Sequence, residues 1–143
     1  MIQNPASLLA VGSGHELDRF TCLALLAGGS LGRLVFTDRA LPDVLPVRYR
    51  MDGENILIEL AIGSTAARAS QGVVVAYTVD EFDVGARSGW SVTAVGYANE
   101  IKEPQVTTNA TLTGRVPSQA DASTSLVSIS TEKLTGRRLT VMP

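Results

Sequence analysis

From Leu31 onward the chain is a succession of short β runs separated by tight-turn signals, and this constrains the fold more than any other feature. Leu31–Thr37 places Leu31, Arg33, Val35 and Thr37 on one face and Gly32, Leu34 and Phe36 on the other, the two-residue period of a strand with one face turned inward. Asp38-Arg39-Ala40 reads as a turn, Val44–Met51 as the returning strand, Asp52-Gly53 as a second tight turn and Asn55–Leu60 as a third strand. Pro46 falls inside the second of these and has no N–H for the ladder, so it predicts irregular pairing there. Val73–Val79 is an unbroken apolar run, the pattern of a strand buried on both faces. Trp90–Ile101 alternates again: Trp90, Val92, Ala94, Gly96 and Ala98 face one way, Ser91, Thr93, Val95, Tyr97 and Asn99 the other. Gly96 in mid-strand points to a bend or a close backbone approach. Leu126–Ser130 is the last run, and Glu132–Leu139, with Gly136-Arg137-Arg138, reads as a turn.

Helical signals are few. Leu17, Phe20, Cys22, Leu23, Leu25 and Leu26 recur at spacings of three and four, predicting a helix over 15–27 that Gly28-Gly29 stops. Ser13 with Glu16 would form a capping box, and Asp18 is the alternative N-cap. Gly63–Ser70 reads as a glycine turn entering a short helix capped by Ser64 or Thr65. Residues 1–14 read as an arm, and 102–122, rich in Thr, Ser and Gly, as a poorly formed helix plus loop. Six strands and two small helices give a mainly β chain, a β-barrel with helical caps. The 143 residues fit one domain, 1–143.

Composition narrows the function. A net charge of −2, with no run of like charges, argues against nucleic acid as a partner. No segment approaches the ~18 apolar residues of a membrane span, and no basic stretch followed by a long apolar core marks a secretory leader. The single Cys22 cannot form an internal disulfide, which fits a cytoplasmic protein. Charged residues make up 18% of the chain, below the ~25% average, and Lys102 and Lys133 are the only lysines among twelve basic residues. A surface partly covered by a second copy is the simplest reading of that balance.

The residues offer little chemistry of their own. Nucleophilic catalysis needs a base beside the nucleophile, yet the only His, His15, reads as a surface residue and Cys22 as a small core residue. One His and one Cys cannot build a metal site. Asp80-Glu81-Phe82-Asp83 lacks the spacing of a calcium loop and reads as a solvated turn. No GxGxxG or GxxxxGK[ST] is present. Catalytic side chains and metal ligands are therefore not expected, and any chemistry must belong to a bound cofactor.

The order of several motifs is more specific. Leu31-Gly32-Arg33-Leu34, Leu45-Pro46-Val47-Arg48-Tyr49, Gly63-Ser64-Thr65, Val75-Ala76-Tyr77-Thr78-Val79-Asp80, Arg87-Ser88-Gly89-Trp90-Ser91-Val92 with Gly96 and Ala98, and Leu134-Thr135-Gly136-Arg137-Arg138-Leu139 follow one another. Together they resemble the pyridoxamine 5′-phosphate oxidase-like family, in particular its small actinobacterial branch with a Ser-Gly-Trp-Ser-Val motif, over about residues 16–139. The resemblance implies a six-stranded antiparallel split barrel, a homodimer, and FMN held at the dimer interface; some relatives use F420 or haem instead. It implies cofactor contacts at Arg48, Tyr49, Ser64, Thr65, Arg68, Trp90 and Ser91. The usual phosphate grip, an Arg and a Thr closing the strand before the glycine turn and a Lys in the turn itself, is replaced here by Glu59, Leu60 and Thr65. Two readings follow: a flavin-dependent oxidoreductase with Arg68 as a replacement charge, or a non-catalytic split-barrel dimer that has lost FMN.

Overall fold

The structure, a computed structural model, describes residues 15–102 and 123–140. In chain order the elements are β1 (His15–Leu17), α1 (Arg19–Ala27), β2 (Leu31–Asp38), β3 (Leu41–Asp52), β4 (Asn55–Ala61), α2 (Thr65–Ala69), β5 (Val73–Asp83), β6 (Ser88–Ile101), β7 (Thr124–Ile129) and β8 (Lys133–Thr140). Six strands close into an antiparallel barrel in the order β6-β5-β2-β3-β4-β7, with β7 returning to β6. The remaining two extend the sheet outward from β6, first β8 and then β1. The six-stranded barrel read from the turn spacing is therefore the fold.

Closure depends on two long strands that change neighbour along their length. Strand β6 pairs with β8 over Ser88–Val95 and with β7 over Ala98–Ile101. The chain passing from β7 to β8 crosses at the change, where the Ser130 N–H donates to the Tyr97 carbonyl at 3.1 Å. A Cβ on Gly96 would lie 2.2 Å from the Ser130 carbonyl oxygen, so this is the close approach its mid-strand position predicts. Strand β3 behaves likewise, pairing with β2 over Leu41–Arg48 and with β4 over Tyr49–Asp52.

The interior follows the two-residue alternation. Leu34 and Phe36, Tyr49, Ile56, Ile58 and Leu60, Val75, Tyr77 and Val79, Val92, Ala94 and Ala98, Val127 and Ile129 point inward from successive strands, and Cys22 and Leu26 of α1 join them. Helix α1 contacts β8, β3 and β6. Its first residue is anchored by Arg19, whose guanidinium donates to the Thr131 carbonyl (2.8 Å) and hydroxyl (2.9 Å) and pairs with Glu54 at 2.7 Å. Neither helix is long and apolar enough to cross a membrane.

Several expectations need correction. The first helix starts at Arg19, not at 15: Asp18, in extended backbone, caps it by accepting from the Thr21 N–H. That leaves His15–Leu17 extended and free to pair with Gly136–Arg138. Glu132–Leu139 is no turn but most of β8, because its backbone finds partners on both β6 and β1. Val73–Val79 is not buried on both faces: Val73 and Val74 are exposed, and only Val75, Tyr77 and Val79 point inward. Asp80–Asp83 continues β5, each residue paired with one of Ser88–Ser91. Pro46 leaves the β2–β3 register unbroken, since its missing N–H would have faced the side of β3 on which no described strand pairs. The expectations for 1–14 and most of 102–122 fall outside the described residues.

Candidate functional site

The place where β3 parts from β4 is also where the chain forms a pocket. Tyr49 opposite Ile58 is the last paired position; beyond it β3 continues along β2 while β4 continues along β7. Tyr49 and Ile58 face the core, so alternation turns Arg48, Arg50, Leu57 and Glu59 outward. Ser30, Val47, Arg48, Tyr49, Arg50, Leu57, Ile58, Glu59 and Leu126 line a pocket of about 420 Å³ at this split, within the size range of small-molecule sites. Leu126 stands beside Glu59 on β7. Leu57 and Leu126 provide an apolar bed, and two guanidinium groups and one carboxylate provide the charge.

The floor is fixed by two tyrosines. The Tyr49 hydroxyl donates to the Leu26 carbonyl at 2.5 Å, and the Tyr77 hydroxyl donates to the Val47 carbonyl. Their rings meet edge to face, 5.4 Å apart at 64°. Glycines make the space: a Cβ on Gly32 would lie 2.5 Å from the Tyr77 ring, and one on Gly29 2.5 Å from the Tyr49 hydroxyl. Burial, with a smaller contribution from the Glu81 charge, pushes the Tyr49 hydroxyl up to about 12. Burial likewise raises Tyr77. Both stay neutral donors and hold β3 rigidly against the core, which leaves Tyr49 with 7% exposure and no free hydroxyl for a ligand.

The other residues anticipated from sequence are placed elsewhere. Ser64 caps α2, its Oγ accepting from the Ala67 N–H at 3.1 Å. Arg68 is exposed and folds back to donate to the Gly63 carbonyl at 2.5 Å. Thr65, half-buried, opens the same helix, so this trio gathers just beyond the end of β4 but does not line the pocket. Leu60, 2% exposed, belongs to the core. Trp90 and Ser91 lie on β6, opposite Glu81 and Asp80 and beside Arg138 and Arg137. In the ring of six strands β6 is three places from β3 in either direction, so one chain does not bring Trp90 to Arg48. Arg50 was missed by the sequence reading, although its position two residues after Arg48 on one strand was the available signal.

Reactive side chains are few. Cys22 is fully buried, its thiol raised by desolvation and its sulfur packed where a Cβ on Gly136 would lie. Its inertness suits a core residue. His15 is exposed on β1. Among the described residues no cluster of three His, Cys, Asp or Glu could hold a metal ion.

The pocket and barrel can be set beside known proteins. A family model described as pyridoxamine 5′-phosphate oxidase matches residues 18–138. The uncharacterized protein Rv0080 of Mycobacterium tuberculosis is 40% identical over 95 residues, 63% of this chain and 62% of that protein, so the chain spans less than two thirds of this curated relative. The FAD binding protein from Mycobacterium smegmatis superposes with a TM-score of 0.73 at 26% identity, covering 87% of this chain and 97% of that one. A FAD-binding protein from Mesorhizobium loti gives 0.72 at 21% identity, covering 88% and 96%, a likeness of fold.

Proposed function

Since the chain belongs to the pyridoxamine 5′-phosphate oxidase family, we propose that it is a flavin-binding protein of the oxidoreductase type, with the cofactor seated in the pocket at the β3–β4 split. The observation that carries this is the pairing of Arg48 and Arg50 over the apolar bed of Leu57 and Leu126. A flavin has those two aspects, a flat apolar ring system and an anionic tail. The FAD bound by the M. smegmatis relative supports a flavin as the cofactor. FMN is the form proposed, with FAD as the comparison ligand.

Within this reading the residues divide the work. Arg48 and Arg50 hold anionic or carbonyl oxygens, each worth about 1 kcal/mol at 4 Å in water and about 4 kcal/mol at a partly buried site. Tyr49 and Tyr77 act through the backbone, fixing the strand that carries both arginines. The bound flavin supplies the hydride or electron transfer, so none of these side chains has to act as acid or base. Ser64, Thr65 and Arg68, just past the end of β4, are proposed to meet the phosphate end, with Arg68 releasing the Gly63 carbonyl to do so.

A homodimer completes the site. The outer face of β3, β2, β5 and β6 carries the cross-strand row Val44, Val35, Ala76 and Val95, flanked by Val74 and Tyr97. Val44, Val74 and Tyr97 are each more than half exposed, an apolar area of the kind monomers avoid. Ser91 alternates onto this same face of β6, so pairing through it is proposed to bring Ser91 of the partner subunit toward the pocket, whereas Trp90 lies on the core side with Val92 and Ala94.

Glu59 favours a second reading. Its carboxylate lines the pocket where the family places an arginine, and it repels a phosphate dianion held there. In a protein that has lost FMN, Glu59→Arg with Thr65→Lys would create flavin affinity; in one that binds it already, the pair would change affinity little. Titration of wild type and this variant with FMN and FAD, followed by flavin fluorescence, separates the two.

A further inference from the structure

The backbone of β3 has an unusual outer edge. The Tyr49 N–H donates to the Ser30 carbonyl at 3.1 Å, so Leu31 and Arg48 face each other as a non-hydrogen-bonded pair. Antiparallel parity then fixes the rest of the strand. Leu41, Asp43, Leu45 and Val47 turn their N–H and C=O toward β2, whereas Pro42, Val44, Pro46 and Arg48 turn theirs away. No described strand pairs with that outward side between Leu41 and Arg48.

Its four outward positions should alternate donors and acceptors, as a neighbouring strand requires. Pro42 and Pro46 have no N–H to offer. The Val44 N–H is taken by the Asp43 carboxylate at 2.8 Å. Arg48 alone keeps an outward donor, and it stands at the pocket mouth. From Leu41 to Val47 the edge therefore presents carbonyls and no free N–H. Its side chains would otherwise invite pairing: Leu41 is 70% and Val44 52% exposed, and long apolar edges recruit strands from other chains.

We propose that Pro42, Asp43 and Pro46 together block strand addition to β3, so that a second copy of this chain cannot pair along this edge and the split that holds the pocket stays open. A strand arriving in either direction would find carbonyls for its N–H groups at Pro42, Val44 and Pro46 but no donor for its own carbonyls. The two prolines and the carboxylate act at successive outward positions, and each removes a different rung.

The test restores the donors. The triple variant Pro42→Thr, Asp43→Ala, Pro46→Thr is compared with wild type by sedimentation velocity across a concentration series and by amide hydrogen exchange over residues 42–46. The expected result is growth to larger, concentration-dependent species in which the new amides at 42 and 46 and that of Val44 are protected. Wild-type sedimentation with fast exchange at those amides, in a variant that keeps the wild-type Trp90 fluorescence, would overturn the proposal. If the triple variant does not fold, Asp43→Ala alone decides: exchange at Val44 should rise about tenfold, the loss of a charge-assisted hydrogen bond, while Asp43→Asn keeps it slow. An unchanged Val44 rate in Asp43→Ala overturns the block. No flavin enters these measurements, so their outcome is independent of the cofactor reading.

Discussion

Gly32 shows how closely the pocket floor is built. Any side chain there would meet the Tyr77 ring at 2.5 Å and the Thr78 carbonyl at 2.7 Å, and the carbonyl belongs to a paired strand that cannot retreat. Gly32→Ala should therefore cost about 1–3 kcal/mol by overpacking, read as a lower urea midpoint. Tyr49 makes a pH prediction. Its hydroxyl must stay protonated to donate to Leu26, and its folded value of about 12 lies above the ordinary 10. Its contribution is whole below pH 10 and is lost as pH rises through 12. Urea titrations should show stability falling over that window, less steeply in Tyr49→Phe; identical slopes would remove Tyr49 from the account. At this scale the sequence was partly legible. A glycine in mid-strand announced the crossing at Gly96, but nothing local announced that Tyr49 reaches Leu26, which is 23 positions away.

Elements were legible where their signal was local. Strands β2 and β6 alternate cleanly, and Gly28 and Ser64 end and begin their helices by short-range hydrogen bonds. Strand β8 was not legible, because Gly136-Arg137-Arg138 has turn composition and its strand state comes from partners about 45 residues earlier on β6 and further still on β1. The β2–β3 turn adds a feature invisible to composition: Arg39 and Ala40 both adopt positive φ, 53° and 70°, in a two-residue hairpin where glycine or asparagine is favoured. Left-handed backbone costs about 1–2 kcal/mol at a residue with a Cβ. Ala40→Gly should raise the thermal midpoint by a stabilisation of about 1 kcal/mol, part of that relief being offset by glycine's greater freedom when unfolded. A lower midpoint would mean the strain is absent.

The whole molecule is a six-stranded barrel in which the parting of β3 from β4 supplies both a pocket and a protected edge. The barrel was legible because turn spacing and alternation agree along most of the chain. The candidate site was half legible: Arg48 was identified and its neighbour Arg50 was not, while Trp90 and Ser91 stand on the opposite wall. Bringing the two walls together requires a second chain, which makes the dimer a prediction at this scale. Sedimentation equilibrium at micromolar concentration should give twice the chain mass, and Val74→Asp with Tyr97→Asp on the outer face should shift it to the monomer. A wild-type monomer would leave the outer apolar face without the partner proposed for it. The central claim is flavin in the β3–β4 pocket, and a fluorescence titration of FMN and FAD with wild type and Arg48→Ala/Arg50→Ala tests it most directly. Saturable quenching at one flavin per chain, with micromolar or tighter affinity that weakens at least tenfold in the variant, is the predicted result. Unchanged fluorescence of both flavins, or equal binding by wild type and variant, would contradict it.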